Sequence, residues 1–133
     1  MCLVTKQRKA KIAKKDIVCY KLLADYLSSI YFACSYRKGV LMRTDLQVHK
    51  AVKGDMNECF DNSCYKLYYP YTGQTNIISQ GFHAALSVKR LKGKGWSIYE
   101  FLIPAGSEYF IDKTGLIVSN QIILVNDINL YKP

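Results

Sequence analysis

The sequence predicts an α+β domain, a mostly antiparallel sheet with one or two helices packed against it. Three observations predict it. Residues 97–103, 108–111 and 116–125 are β-branched and aromatic runs separated by short glycine-containing turns. Residues 84–91 place Ala84, Val88 and Leu91 at helical spacing, with Gly93 and Gly95 to end the helix. Half of the 133 residues are hydrophobic, enough for a single core without disulfides or metal.

Taken in order, residues 5–15 alternate cations with small residues and predict a flexible basic arm over 1–15, leaving 16–133 as a single α+β domain. Residues 17–23 are strongly apolar and predict a first strand. Residues 27–34 predict a second, with a helix over 22–31 as the competing assignment, because short apolar runs are ambiguous by period. Tyr36-Arg37-Lys38-Gly39 predicts a turn with a positive φ at the glycine, followed by a short strand over 40–42. Residues 44–64 carry four acids and predict a long loop, with one short helix in it as the alternative, before a strand over 65–69 that Pro70 stops. Pro104-Ala105-Gly106-Ser107 and Asp112-Lys113-Thr114-Gly115 predict the turns between the last strands. No repeat or low-complexity linker is visible.

The formal charge is +9 and uneven. Residues 1–43 hold ten Lys/Arg against two acids, and residues 44–133 hold nine against eight. Such asymmetry points to nucleic acid, a nucleotide or an anionic surface, weighed against a merely solvated tail. Lys6, Arg8, Lys9, Lys11, Lys14 and Lys15 are the candidate nucleic-acid contacts. No apolar run is long enough for a secretory signal or a membrane span, so a cytoplasmic chain with no membrane partner is expected. The five cysteines are then expected to be reduced thiols, with Cys19 and Cys34 in the core.

A second basic cluster, Lys89-Arg90-Leu91-Lys92-Gly93-Lys94-Gly95-Trp96, sets four cations beside a ring able to stack on a base. With His83 at the expected loop-to-helix junction, it gives a candidate ligand site of His83, Lys89, Arg90, Lys92, Lys94 and Trp96. The bland alternative is a charged helix end with Trp96 in the core. A Walker-type phosphate loop is excluded, since Val88 stands where its first glycine is needed. Cys59, Cys64 and His49 lack an obvious fourth zinc ligand, so no metal and no cofactor are expected. No paired carboxylates or nucleophile signature argue for catalysis.

Several stretches carry a resemblance: Met1-Cys2-Leu3-Val4-Thr5-Lys6, Asp16-Ile17-Val18-Cys19-Tyr20-Lys21, Gly81-Phe82-His83, and the runs 103–109 and 115–122. Together they resemble small uncharacterised proteins of gut Bacteroides-type bacteria and their phages. That resemblance implies a phage or mobile-element origin and a host-cell cytoplasm. A more distant likeness is to ADP-ribosyltransferase-type sheets, in which Gly-x-His enters a helix and a late strand carries a glutamate. Ser119-Asn120-Gln121 occupies that late place without an acid.

These readings rank a non-enzymatic binder of a nucleotide-like anion first, which in a phage setting suits sequestration of a host immune signal. A protein-binding inhibitor of a host defence factor follows, with Tyr65, Tyr68, Tyr69 and Tyr71 as anchors. Nucleic-acid binding through the basic arm comes next, and a transferase last. The oligomeric state is open, a homo-oligomer included.

Overall fold

The computed structural model describes residues 3–24, 28–29, 35–51, 56–60, 66–70, 75–91 and 97–127. In these the chain is almost wholly antiparallel sheet, which overturns the α+β expectation. The strands are β1 (Leu3–Thr5), β2 (Lys11–Ile12), β3 (Ile17–Ala24), β4 (Ser28–Ser29), β5 (Leu41–Arg43), β6 (Gln47–Ala51) and β7 (Met56–Phe60). They continue with β8 (Lys66–Pro70), β9 (Thr75–Gln80), β10 (Phe82–Ala85), β11 (Ser97–Ile103), β12 (Glu108–Ile111), β13 (Leu116–Ser119) and β14 (Gln121–Asp127). Among the described residues the only helical element is a 3-10 turn, Val88–Arg90.

The main sheet runs β2-β12-β13-β10-β3-β11-β14-β5, with β4 paired to β3. β13 and β14 are two halves of one bent strand. The first half pairs with β10 and the second with β11. Since β3 lies between β10 and β11, the hydrogen-bonding circuit closes and the sheet wraps around its own core. Asn120 makes the bend. Its backbone N–H donates to Glu108 O at 3.1 Å, its side-chain oxygen accepts from Glu108 N at 2.9 Å, and its carbonyl accepts from Thr44 N at 2.9 Å. A smaller sheet, β1-β9-β6, lies beside the first, and β7 and β8 form a separate hairpin.

Two cores result. Inside the wrap, Cys19 and Leu23 of β3 meet Phe82 and Ala84 of β10, Phe101 and Ile103 of β11, Ile117, Ile122 and Leu124. Tyr36 packs edge-on against Phe101 at 5.0 Å between ring centroids. Burial pushes the Cys19 thiol up to about 12, so it acts as a small apolar side chain. Between the two sheets, Leu3, Ile78, Phe110 and Val118 form the second core.

The helix expected over 84–91 is therefore a strand and a turn. Phe82 and Ala84 point into the first core, while His83 sits opposite Val118, a member of the second. A strand covered on both faces carries apolar residues without alternation, and such a run cannot be told from a helix by period alone. Ser87 then caps the 3-10 turn by accepting from Lys89 N at 3.3 Å.

β9 passes into β10, and so from one sheet to the other, through Gly81. Its φ is +153°, and a Cβ there would lie 2.5 Å from Val118 Cγ2 and 2.7 Å from Leu46 Cδ2. Only glycine fits both the conformation and the gap. No helix of the described residues is long and apolar enough to cross a membrane.

Candidate anion-binding site

The segment expected as an arm, residues 1–15, carries two strands in its described part. Leu3 and Thr5 are buried in β1, and Ala13 is buried just after β2. The force that holds the rest is the need of the β12 edge for hydrogen-bond partners. Thr5 Oγ1 donates to Ile111 O at 2.7 Å. The Gln7 amide then stands in for a peptide group: its Nε2 donates to Tyr109 O at 3.0 Å and its Oε1 accepts from Ile111 N at 3.1 Å. Farther along, β2 pairs directly with β12 through Lys11 and Ile12.

The backbone between these points is held as well. Asn76 Nδ2 donates to Gln7 O at 2.8 Å and to Arg8 O at 3.2 Å, and Gln7 Nε2 also donates to Lys9 O at 2.7 Å. Ala13 exchanges backbone hydrogen bonds with Ser107 and Gly106, and Asp16 accepts from Ala105 N at 2.9 Å. With its carbonyls tied inward, the segment leaves Lys6, Arg8, Lys9, Lys11, Lys14 and Lys15 all exposed. Residues 1–15 contain no acid, and among the described residues none of these six cations forms an ion pair.

Where this segment faces the turn between β12 and β13, an open cleft of about 490 Å³ forms. Lys6 and Lys11 line it from one side and Lys113 from the other, over Val4 and Ile111. Asp112 also lines it, but its Oδ1 is occupied by the turn, accepting from Thr114 N at 2.8 Å, Thr114 Oγ1 at 2.8 Å and Leu116 N at 3.0 Å. A second cleft of about 450 Å³ is lined by Arg43, Asp45, Gln80 and Asn120, where one cation shares the space with one acid.

The other sequence-derived cluster is placed differently. His83 lies on β10, not at a helix entry. Its Nδ1 donates to Gly81 O at 3.1 Å, and its Nε2 is shut off from solvent with no hydrogen-bond partner among the described residues. Burial first, and then the nearby Lys21 ammonium, lower its pKa to about 3, so the ring is neutral near pH 7. Lys21 itself is buried, donates to His83 O and lies 5.9 Å from the Tyr36 ring centroid. Lys89 is exposed on the 3-10 turn that also holds Arg90. Neither His83 nor Lys89 lines the two clefts just described. Lys92, Lys94 and Trp96 lie outside the described residues, as do Cys34, Cys64, Tyr65 and Tyr71. His49 is on β6 with its Nε2 3.0 Å from Ser79 Oγ. Among the described residues no three His, Cys, Asp or Glu side chains gather to hold a metal.

No family model, curated protein or solved structure matches the chain. Of the likeness to ADP-ribosyltransferase-type sheets, the helix entered by Gly-x-His is missing, because Gly81-Phe82-His83 runs into a strand. The late Ser119-Asn120-Gln121 forms the bend of the long strand.

Proposed function

We propose that this protein binds nucleic acid through its phosphate backbone, along the docked basic segment of residues 6–15. The observation that carries the reading is the placement of six exposed cations, without ion pairs among the described residues, within ten residues whose backbone is fixed to the β12 edge. Fixing the backbone removes much of the ordering cost that a free arm meets on binding. The density of charge suits a polyanion with regularly spaced phosphates better than a single small anion.

Lys113 extends the positive surface across the cleft from a different part of the chain. The neutral, half-buried His83 lines neither of the two clefts. The test is fluorescence anisotropy of a labelled mixed-sequence oligonucleotide at low salt. The wild-type protein binds, and a Lys9→Glu, Lys14→Glu, Lys15→Glu variant with an unchanged circular dichroism spectrum loses most of that affinity. A wild type that leaves the anisotropy unmoved refutes the reading.

A further inference from the structure

We infer that the cleft between the basic segment and the β12–β13 turn seats one unpaired nucleotide, so that the preferred partner is a single strand. This rests on the nucleic-acid reading and goes beyond it. A duplex held only by its backbone needs a row of cations on an open surface, not a recess. Here Lys6, Lys11 and Lys113 line an open cleft of about 490 Å³, a volume in the range of small-ligand sites. The hollow has two further features that a phosphate does not use.

The first is the aliphatic lining from Val4 and Ile111, which offers apolar surface to a base or sugar. The second is Asp112. Its Oδ1 is spent on the turn, while its Oδ2 accepts none of those bonds. A carboxylate beside a purely anionic occupant is repulsive. Beside a nucleotide it has a use, since Oδ2 can accept from an exocyclic amine or a sugar hydroxyl while the lysines hold the phosphate. In a duplex the bases are stacked and paired and cannot enter the recess, whereas an unpaired base turns out of its strand at little cost.

The experiment compares a labelled single strand with the duplex of the same sequence, by anisotropy at one low salt concentration. The wild-type protein binds the single strand about tenfold more tightly, the scale that one hydrogen bond to a charged group such as the Asp112 carboxylate supplies. Lys113→Glu and Asp112→Asn, the latter keeping the Oδ1 acceptor of the turn, each reduce that preference. Lys15→Glu, outside the cleft, weakens both partners by the same factor and leaves the preference intact. Equal affinity for both partners, with Lys113→Glu costing each the same, overturns the inference and leaves the backbone reading standing. Failure of the wild type to bind either one overturns both.

Discussion

Gln7 is the residue on which the docking of the basic segment turns, and its removal has a calculable effect. In Gln7→Ala, Tyr109 O loses its donor and Ile111 N loses its acceptor, at contacts of 3.0 and 3.1 Å. The bond to Lys9 O at 2.7 Å goes as well. Each is worth about 1 kcal/mol net, and the two on the β12 edge are partly buried, so the variant loses about 2–3 kcal/mol of stability. Gln7→Glu keeps an acceptor for Ile111 N but turns a carboxylate oxygen toward the carbonyls of Tyr109 and Lys9, and so costs at least as much. Urea denaturation measures both, and hydrogen exchange at the Ile111 amide reports the edge itself. The same variant removes no charge, yet it frees Lys6 and Lys11 from their places beside the cleft and weakens oligonucleotide binding. A Gln7→Ala protein within about 0.5 kcal/mol of wild type, the range of an ordinary surface change, refutes the docking argument.

Two further perturbations test the fold around this site. Gly81→Ala places a methyl 2.5 Å from Val118 Cγ2 at a φ of +153°. Overpacking and backbone strain of about 1–3 kcal/mol each add there, so the midpoint of urea unfolding drops sharply or the variant does not fold; an unchanged midpoint contradicts the sheet crossing at Gly81. The folded-state pKa of His83 is about 3 against an ordinary 6.5. Between these values the unfolded chain takes up a proton that the fold refuses. The contribution is whole above about pH 6.5 and drains, at about 1 kcal/mol per pH unit, as pH falls toward 3. Stability profiles of the wild type and His83→Leu between pH 7 and about pH 4 then diverge, the variant's being flatter; parallel profiles contradict the neutral state of the folded imidazole.

Much of the strand layout was legible in the sequence. The run of 97–103 became β11 and that of 108–111 became β12 with the expected bounds, and Gly39, Gly106 and Gly115 all have positive φ at turns. The expected strand over 116–125 is there too, but bent at Asn120, whose partners Glu108 and Thr44 are remote in sequence. Residues 44–64 read as loop because polar and acidic residues interrupt them, yet they contribute β6 and β7, whose partners β9 and β8 supply the pairing. Residues 84–91 misled by their composition, since Ala84 and Ala85 are both buried at the end of β10, without the alternation that marks a strand, and a 3-10 turn follows at Val88–Arg90.

The six cations of the candidate site were visible as a charge run, but their support was not. Gln7 and Asn76 carry no sequence signal of their roles, and the cleft joins Lys6 and Lys11 to a turn about a hundred residues away. The flexible-arm reading followed from charge and small residues. The pairing of the segment with the β12 edge is a property of the tertiary structure that no local signal carries.

Binding to phosphates by fixed cations must show in how oligonucleotide affinity depends on salt. If the fixed cations of residues 6–15 and Lys113 neutralise about four or five phosphates of a single strand, the logarithm of the association constant falls with the logarithm of salt at a slope of about −3. Charge reversal of any one of the contacting lysines makes that slope shallower by about one contact. An affinity that stays flat as salt rises, or a slope that the lysine substitutions leave unchanged, contradicts the account.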